Sequence, residues 1–309
     1  MTFVRVGEVS HHVVVEGSGP SCILSAGLAM SWFDWDPVVP LLTPHRTVVR
    51  FDRPGHGLSG PAVVPPSAVG EAHRIAAILD ALGITEPVTV VGHSIAGFHA
   101  EAFARIHPAR TAGVVLVDSS IEEHARFPAA PAVRTTVAHA VGSVLTAVGA
   151  PVVLGPLVRR GMVRLSRTGG GDPAPAELVR RCYATGRVLQ GALLENTHYR
   201  AVAAELLALR GRLPLRDGLP VTVLAAYDGR GGAWGRRWLA RQRALAAELG
   251  GARFEAVEPS GHLVMLDRPD AVARAVLMPR EERVNPAHTP ARPTTRSGPP
   301  ADAGPDRLH

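Results

Sequence analysis

The sequence has no lysine and only two cysteines, and each shortage excludes a class of site. All 33 basic residues are arginines, so the glycine run Gly169-Gly170-Gly171 lacks the lysine that a phosphate-binding loop requires. Cys22 and Cys182 are far apart in the chain, which excludes a disulfide framework. No histidine, cysteine or aspartate grouping has the spacing of metal ligands, so we expect neither a metal nor a cofactor.

The chain also lacks targeting and membrane-spanning signals. No charged segment followed by an apolar core opens the sequence, so we expect a cytoplasmic protein. The segment from Val137 to Val158 is apolar for about the length of a membrane span, but Gly142, Gly149 and Pro151 interrupt it, which argues against a stable span.

A positive charge is concentrated in the middle of the chain. The formal net charge is +6, and residues 119–218 alone hold 13 arginines against 7 acidic residues. Such a surface attracts anionic substrates or lipid headgroups, so weak contact with a membrane surface stays open beside the simpler interpretation of a solvated arginine-rich face. We expect a small-molecule substrate and no nucleic-acid partner, and the oligomeric state is left open.

Apolar strands alternate with helical patterns over most of the 309 residues. Continuous apolar strands between helices are typical of a parallel sheet covered on both faces. The pattern predicts a mostly parallel eight-stranded α/β sheet, with Ser67 as the N-cap of one helix. Its strands are predicted at Phe3–Val6, Val13–Glu16, Cys22–Ser25, Thr47–Asp52, Val88–Val91, Val114–Asp118, Pro220–Ala226 and Phe254–Val257.

The alternation stops for about a hundred residues, longer than an ordinary connection between a strand and a helix. We therefore divide the chain into a first core part at 1–118, a helical cap or lid at 119–218 and a second core part at 219–280. Residues 281–309 are rich in proline, threonine, arginine and glycine and predict a disordered tail.

Ser94 lies where a predicted strand turns sharply into a helix. A strained turn of this kind lifts a serine hydroxyl above the sheet, within reach of a base. Gly92 supplies the small residue two positions earlier, whereas Ala96 breaks the G-x-S-x-G pattern and Gly97 follows it. The backbone N–H of Ile95 opens the helix and is a candidate donor to an oxyanion.

A base for Ser94 is expected after the last strand. His262 follows that strand on a loop at the same edge of the sheet as Ser94. By contrast, His73, His99 and His107 lie on predicted helices, and His11 and His12 lie in the opening hairpin. The run Gly55–Gly60 spells G-x-G-x-x-G after a strand, but Pro61, Pro65 and Pro66 forbid the helix that dinucleotide binding needs.

Over residues 1–280 the chain resembles α/β-hydrolases of the serine-triad kind. The matching segments are Gly17–Pro20, Ala26–Leu28, Asp52–Ser59, the elbow at Ser94, Ser260–His262 and Asp267–Pro269. The resemblance implies an oxyanion hole made by the N–H groups of Leu28 and Ile95. Where many relatives have histidine, this chain has Ala26, so the hydrogen bonding behind the hole must differ.

The resemblance leaves two positions for the acid of a catalytic triad. Asp228 follows the seventh strand, one residue short of the usual family position, and Asp118 ends the sixth strand, an alternative family position. Asp228 is preferred.

With Ser94 as nucleophile, we expect a hydrolase of esters or of related lactones, thioesters or amides, acting on an apolar small molecule through an acyl-enzyme. Dehalogenation and epoxide opening are disfavoured because the relatives that catalyse them use a carboxylate nucleophile. A cofactor-free perhydrolase and a non-hydrolytic ligand-binding protein are the alternatives.

Overall fold

The computed structural model describes residues 2–278, and the predicted tail at 281–309 lies outside them. Its eight strands form one sheet in the order β1-β2-β4-β3-β5-β6-β7-β8. β2 pairs antiparallel with β1 and β4, and all other pairs are parallel. The strands are β1 Thr2–Val6, β2 Val9–Glu16, β3 Ser21–Ser25, β4 Thr47–Phe51, β5 Val88–His93, β6 Thr111–Val117, β7 Val221–Ala226 and β8 Arg253–Val257. The predicted fold class is confirmed.

Ten α-helices and two short 3-10 segments, Trp32–Trp35 and Pro108–Arg110, connect the strands in the described range. Ser67 is the predicted N-cap of the second helix, where its hydroxyl accepts from the Gly70 N–H at 2.9 Å. The helices are α1 Val39–Leu42, α2 Ala68–Ala81, α3 Ala96–Ile106, α4 Pro131–Ala147, α5 Ala150–Leu165, α6 Ala176–Tyr183, α7 Gly186–Arg210, α8 Ala233–Glu248, α9 Val264–Asp267 and α10 Pro269–Leu277.

The apolar strands are continuous because both faces of the sheet are buried. Val90 of β5 belongs to the core that includes α2, α3 and α8, whereas its neighbour Val91 belongs to the core that includes α1 and α10. Val114 and Val115 of β6 divide in the same way. Successive side chains of a strand point to opposite faces, so a strand between two helical layers is apolar at every position.

Four helices, α4 to α7, lie between β6 and β7 and are called here the helical insert, Pro131–Arg210. They occupy the segment in which the strand pattern stops. Tyr183 and Val188 of the insert pack with Trp32 and Phe33 after β3 in a third apolar cluster. The insert therefore rests on the loops that follow the parallel strands, the edge where sheets of this type place their sites.

Candidate active site

The elbow at Ser94 has the strained backbone that the sequence predicts. Ser94 has a φ of 54°, in the left-handed region that residues other than glycine rarely adopt. A Cβ on Gly92 would lie 2.2 Å from the Ala96 carbonyl oxygen, so only glycine fits there. A Cβ on Gly97 would lie 2.0 Å from Ser119 Oγ. The methyl group of Ala96 is accommodated at the start of α3, and the requirement for glycine falls on position 97.

The structure brings Asp118, and not Asp228, to His262. His262 Nδ1 lies 2.6 Å from Asp118 Oδ2, while the other carboxylate oxygen accepts from the Ala226 N–H at 2.9 Å and from Trp238 Nε1 at 2.7 Å. Asp228 is exposed and accepts the N–H of Arg230 at 3.0 Å. The sequence analysis preferred Asp228, but its loop turns that carboxylate toward its own backbone, and of the two candidates it is Asp118 that contacts His262.

The conformation of Asp118 explains how a strand end can reach the histidine. Its φ is 41°, so the chain kinks directly after β6. The two N–H donors come from β7 and α8, and they hold one carboxylate oxygen so that the other faces His262. A carboxylate in this position orients the imidazole and stabilises its cationic form.

Ser94 and His262 line one cavity beneath the helical insert. Among the hydrogen bonds of residues 2–278, none joins Ser94 Oγ to the His262 ring. Such bonds are often long in a hydrolase without substrate and tighten in the complex. The His262 side chain is 41% exposed while Asp118 beneath it is 3% exposed, so the imidazole faces the cavity and its carboxylate partner is buried.

The two candidate oxyanion donors come from different elements. Ile95 precedes the first residue of α3, and Leu28 lies in the loop after β3. Leu28 lines the same cavity as Ser94, Ile95 follows Ser94 in the chain, and within the described chain neither N–H group donates to a protein acceptor. The next residue, Ala29, has a φ of 57°, so this loop is strained as well.

Arg53, two residues after β4, holds the loop that contains Ala26. The Arg53 guanidinium donates to the carbonyl oxygens of Ala26 and Gly27, at 2.7 Å for the second. It is also paired with Glu195 of α7 through two hydrogen bonds of 2.8 and 3.0 Å. The Ala29 N–H reaches the same Glu195 carboxylate at 3.3 Å. Core, loop and insert therefore meet at one buried ion pair.

The charges of this ion pair are fixed by its surroundings. Burial alone raises the pKa of Glu195, but Arg53 and then His56 outweigh it and hold the pKa well below its usual range. The carboxylate is therefore ionised at neutral pH, and Arg53 is never left as an unpaired buried cation. Sequence reasoning missed Glu195 because nothing local distinguishes a glutamate on a long helix.

His93, next to Ser94, is a second residue that sequence reasoning missed. Its Nε2 donates to the His262 carbonyl oxygen at 2.9 Å, and the two rings lie 4.6 Å apart. Burial, followed by the charge of His262, lowers the pKa of His93 well below its ordinary value, so the ring is neutral. A Cβ on Gly27 would lie 2.6 Å from His93 Nδ1, which explains glycine in the loop there. His93 therefore ties the His262 loop to the elbow.

The cavity above Ser94 has a volume of about 460 Å³ and walls that are mainly aliphatic. This volume is within the range of small-molecule sites. Leu145, Leu154 and Met162 come from the insert, and Leu28 and Met30 come from the loop after β3.

Arg159 is the charged residue of this wall, and its charge is compensated inside the protein. Its Nε lies 3.1 Å from Asp172 Oδ2, and its guanidinium also pairs with the buried Asp34. The guanidinium carbon lies 5.5 Å from the Phe33 ring centre and 5.3 Å from that of Tyr183. Arg159 therefore does not offer a free positive charge to a ligand.

The glycine run Gly55–Gly60 is filled by the protein itself. The Arg187 guanidinium of α7 donates to the Gly57 carbonyl oxygen at 2.8 Å, and a Cβ on Gly55 would lie 2.8 Å from Gly191. The next helix begins only at Ala68. Across residues 2–278 no group of three or more potential metal ligands comes together.

Comparison with known proteins gives the family. The family model described as "Alpha/beta hydrolase family" matches residues 18–275. The chain is 30% identical over 118 residues to "Putative carbamate hydrolase RutD" of Azorhizobium caulinodans, covering 38% of this chain and 44% of that protein. It is 32% identical over 120 residues to a fluoroacetate dehalogenase of Burkholderia sp., covering 37% of this chain and 39% of that protein. Both alignments span less than half of the relative's length.

A solved structure matches nearly the whole fold. Cfl2 from Burkholderia cenocepacia superimposes with a TM-score of 0.69 at 20% identity, covering 91% of this chain and 94% of that one. At this identity the match concerns the fold, while the family model spans both parts of the sheet and the elbow at Ser94. The chain belongs to the α/β-hydrolase family.

Proposed function

We propose that the protein is a serine hydrolase that cleaves a carboxylic ester, or a related lactone, thioester or amide, of an apolar small molecule. The observation that carries this proposal is the convergence on one apolar cavity of the strained Ser94 and the Asp118–His262 pair. An activated serine needs a base and a group that orients that base, and this site offers both.

The reaction follows from the positions of these groups. Ser94 Oγ attacks the substrate carbonyl carbon while His262 Nε2 takes the hydroxyl proton. The negative charge that forms on the carbonyl oxygen is held by the N–H groups of Leu28 and Ile95. When the bond to the leaving group breaks, His262 returns the proton to it. A water molecule, deprotonated by His262, then cleaves the acyl-enzyme and restores Ser94.

Asp118 keeps the imidazole in the productive tautomer. Its Oδ2 faces Nδ1, so Nδ1 carries the hydrogen and Nε2 is the lone-pair nitrogen available to Ser94. The activity in the name of the fluoroacetate dehalogenase does not fit this chain, because the elbow presents a hydroxyl and not the carboxylate that such chemistry requires. The aliphatic cavity supports an apolar acyl or alcohol group of medium size.

The test is labelling with a fluorophosphonate probe, which reacts with activated serines. We expect the wild type to be labelled and Ser94→Ala and His262→Ala to lose labelling. Ser166→Ala is the matched control, because Ser166 lines the same cavity without lying at an elbow, and it should label normally. A panel of esters of increasing acyl length then locates the preferred substrate. A folded wild type that neither labels nor cleaves any ester overturns the proposal and favours the ligand-binding alternative.

A further inference from the structure

The outer face of the helical insert is unusually apolar for a surface. Of the 21 large apolar side chains that are exposed in the described chain, 14 lie between Phe127 and Leu165. Along α4 and its C-cap residue they form a stripe, since Val133, Val137, Val141, Val144 and Val148 recur every three or four residues. Contiguous apolar patches above about 300 to 600 Å² are uncommon on monomeric soluble proteins and mark interaction sites.

The same face continues into the cavity of the candidate active site. Leu154, Val158 and Met162 are spaced four residues apart on α5 and line the cavity, yet they are 52%, 60% and 58% exposed. The aliphatic surface of α5 therefore extends from the outer face into the cavity that Ser94 lines.

The charge of this segment has one sign. Residues 124–171 contain six arginines and no aspartate or glutamate. Arg159 and Arg167 are paired with acids from outside the segment, Asp34 and Asp267 among them. The other four arginines are exposed, and no ion pair of the described chain involves them; they are Arg126, Arg134, Arg160 and Arg164.

Two of these arginines flank the apolar face of α5. Arg160 and Arg164 are one turn apart, so they lie on one side of the helix, next to the exposed Leu157. Apolar side chains bordered by basic ones are the arrangement of helices that lie in a membrane interface, where arginine reaches the anionic headgroups. From residue 2 to residue 278 no single helix is long and apolar enough to cross a membrane; α4 and α5 reach that length only as a pair bent by 107°.

We propose that the exposed apolar face of α4 and α5 docks on an anionic lipid membrane. Charge decides between this occupant and a second copy of the chain. In a two-fold dimer the same patch meets itself, so its arginines meet a segment that supplies no carboxylate to neutralise them. Anionic headgroups neutralise Arg160 and Arg164, which flank the apolar face, and the acyl region covers the valine stripe.

The docking also indicates the substrate class, which is an apolar ester dissolved in the membrane. This claim about the substrate rests on the proposed function, whereas the claim of docking does not. Docking places the mouth of the cavity, at Leu154 and Met162, against the lipid. Binding itself needs no catalysis, so the two claims are measured separately.

The binding experiment is flotation of the full chain with vesicles of phosphatidylcholine, alone or mixed with phosphatidylglycerol. We expect co-flotation that is stronger with phosphatidylglycerol. Arg160→Gln/Arg164→Gln should lower the affinity for the mixed vesicles about 30-fold, at about fivefold for each arginine. Val144→Ser/Leu157→Ser should lower the affinity for both vesicle types at least about tenfold, because two exposed apolar side chains no longer enter the lipid.

Matched controls change the same residue types away from the insert. Arg5→Gln/Arg237→Gln removes two exposed charges that lie outside the helical insert, and Val63→Ser removes an exposed valine outside it. Neither variant should alter flotation. Absence of flotation, or flotation that the insert variants leave unchanged, overturns the proposal. A lipid-free dimer in analytical ultracentrifugation that Val144→Ser/Leu157→Ser dissociates, without flotation, assigns the face to a second copy and overturns it too.

The activity arm separates this proposal from the proposed function. Val144→Ser/Leu157→Ser should slow hydrolysis of a long-chain ester carried in mixed vesicles at least about tenfold and leave kcat/KM for a water-soluble short-chain ester unchanged. Equal slowing of both reactions overturns the delivery role. Ser94→Ala should float like the wild type, because docking needs no catalysis. A wild type that floats but shows neither hydrolysis nor labelling refutes the proposed function and leaves the docking proposal standing.

Discussion

Replacing Asp118 by asparagine tests which carboxylate orients His262. Asparagine has the same shape, and its oxygen can keep the bonds from the Ala226 N–H and from Trp238 Nε1. Its amide nitrogen then faces His262 Nδ1, where the carboxylate oxygen stood at 2.6 Å. Two donors cannot face each other, so Nδ1 becomes the acceptor and the hydrogen moves to Nε2. The imidazole can then no longer accept the proton of Ser94.

The expected loss follows from the tautomer and from the missing negative charge. Exchanging the acid for its amide in a serine protease triad lowers kcat about 10⁴-fold, which corresponds to about 5.4 kcal/mol of transition-state stabilisation. We expect a loss on the order of 10³- to 10⁴-fold in kcat for Asp118→Asn. Asp228→Asn, the matched control, should change kcat by no more than about twofold, because Asp228 is exposed and bonded only to its own loop.

The assay is hydrolysis of a short p-nitrophenyl ester, with chemical denaturation of each variant to establish that it is folded. Unfolding curves matter here because Asp118 is buried and accepts three hydrogen bonds. The reasoning is refuted if folded Asp118→Asn keeps most of the wild-type kcat, or if Asp228→Asn is the variant that loses it.

Two further predictions concern buried titratable side chains. Glu195→Gln should lower the free energy of unfolding by about 3 kcal/mol or more, because Arg53 becomes an unpaired buried cation, whereas the exposed Glu177→Gln should change it by less than about 0.5 kcal/mol. A loss below about 1 kcal/mol in Glu195→Gln contradicts the role given to the ion pair. His99 is buried, neither of its ring nitrogens has a hydrogen-bond partner among residues 2–278, and burial lowers its pKa from 6.5 to about 4. Its folded pKa lies below its unfolded one, so stability is present above the unfolded pKa and is lost as the pH falls through the window between the two. Between pH 7 and pH 5, protonation of His99 should lower the free energy of unfolding of the wild type by about 2 kcal/mol, as measured by chemical denaturation. Between pH 7 and pH 5 the free energy of unfolding of His99→Leu should fall by about 2 kcal/mol less than that of the wild type. If both proteins lose the same stability over this interval, the lowered pKa of His99 is contradicted.

Several features of the site could be predicted from the sequence because they are local. Gly92, Ser94 and the helical pattern that follows define an elbow within a dozen residues, and the strands before and after it are recognisable from apolar runs. His262 could be selected among 14 histidines because the end of a parallel strand determines the edge of the sheet on which the next loop lies.

Which aspartate contacts His262 could not be predicted, because the contact depends on where a side chain points after its strand ends. Asp118 and Asp228 both follow parallel strands, so both loops lie at the same edge of the sheet. A φ of 41° and two donors from β7 and α8 turn the Asp118 carboxylate toward a histidine 144 residues away. The sequence pattern contains no sign of these donors.

By itself the sequence determined the parallel sheet, the helical segment between β6 and β7, the elbow serine and the histidine loop, because periodicity and turn residues act over a few neighbours. Only the tertiary structure revealed the contact between Asp118 and His262, the Arg53–Glu195 pair beside the loop after β3, and the outward-facing valines of α4. The first two features depend on contacts between residues more than a hundred positions apart. The third depends on which side of an apolar helix packs against the rest of the protein. Local sequence patterns cannot predict either of these.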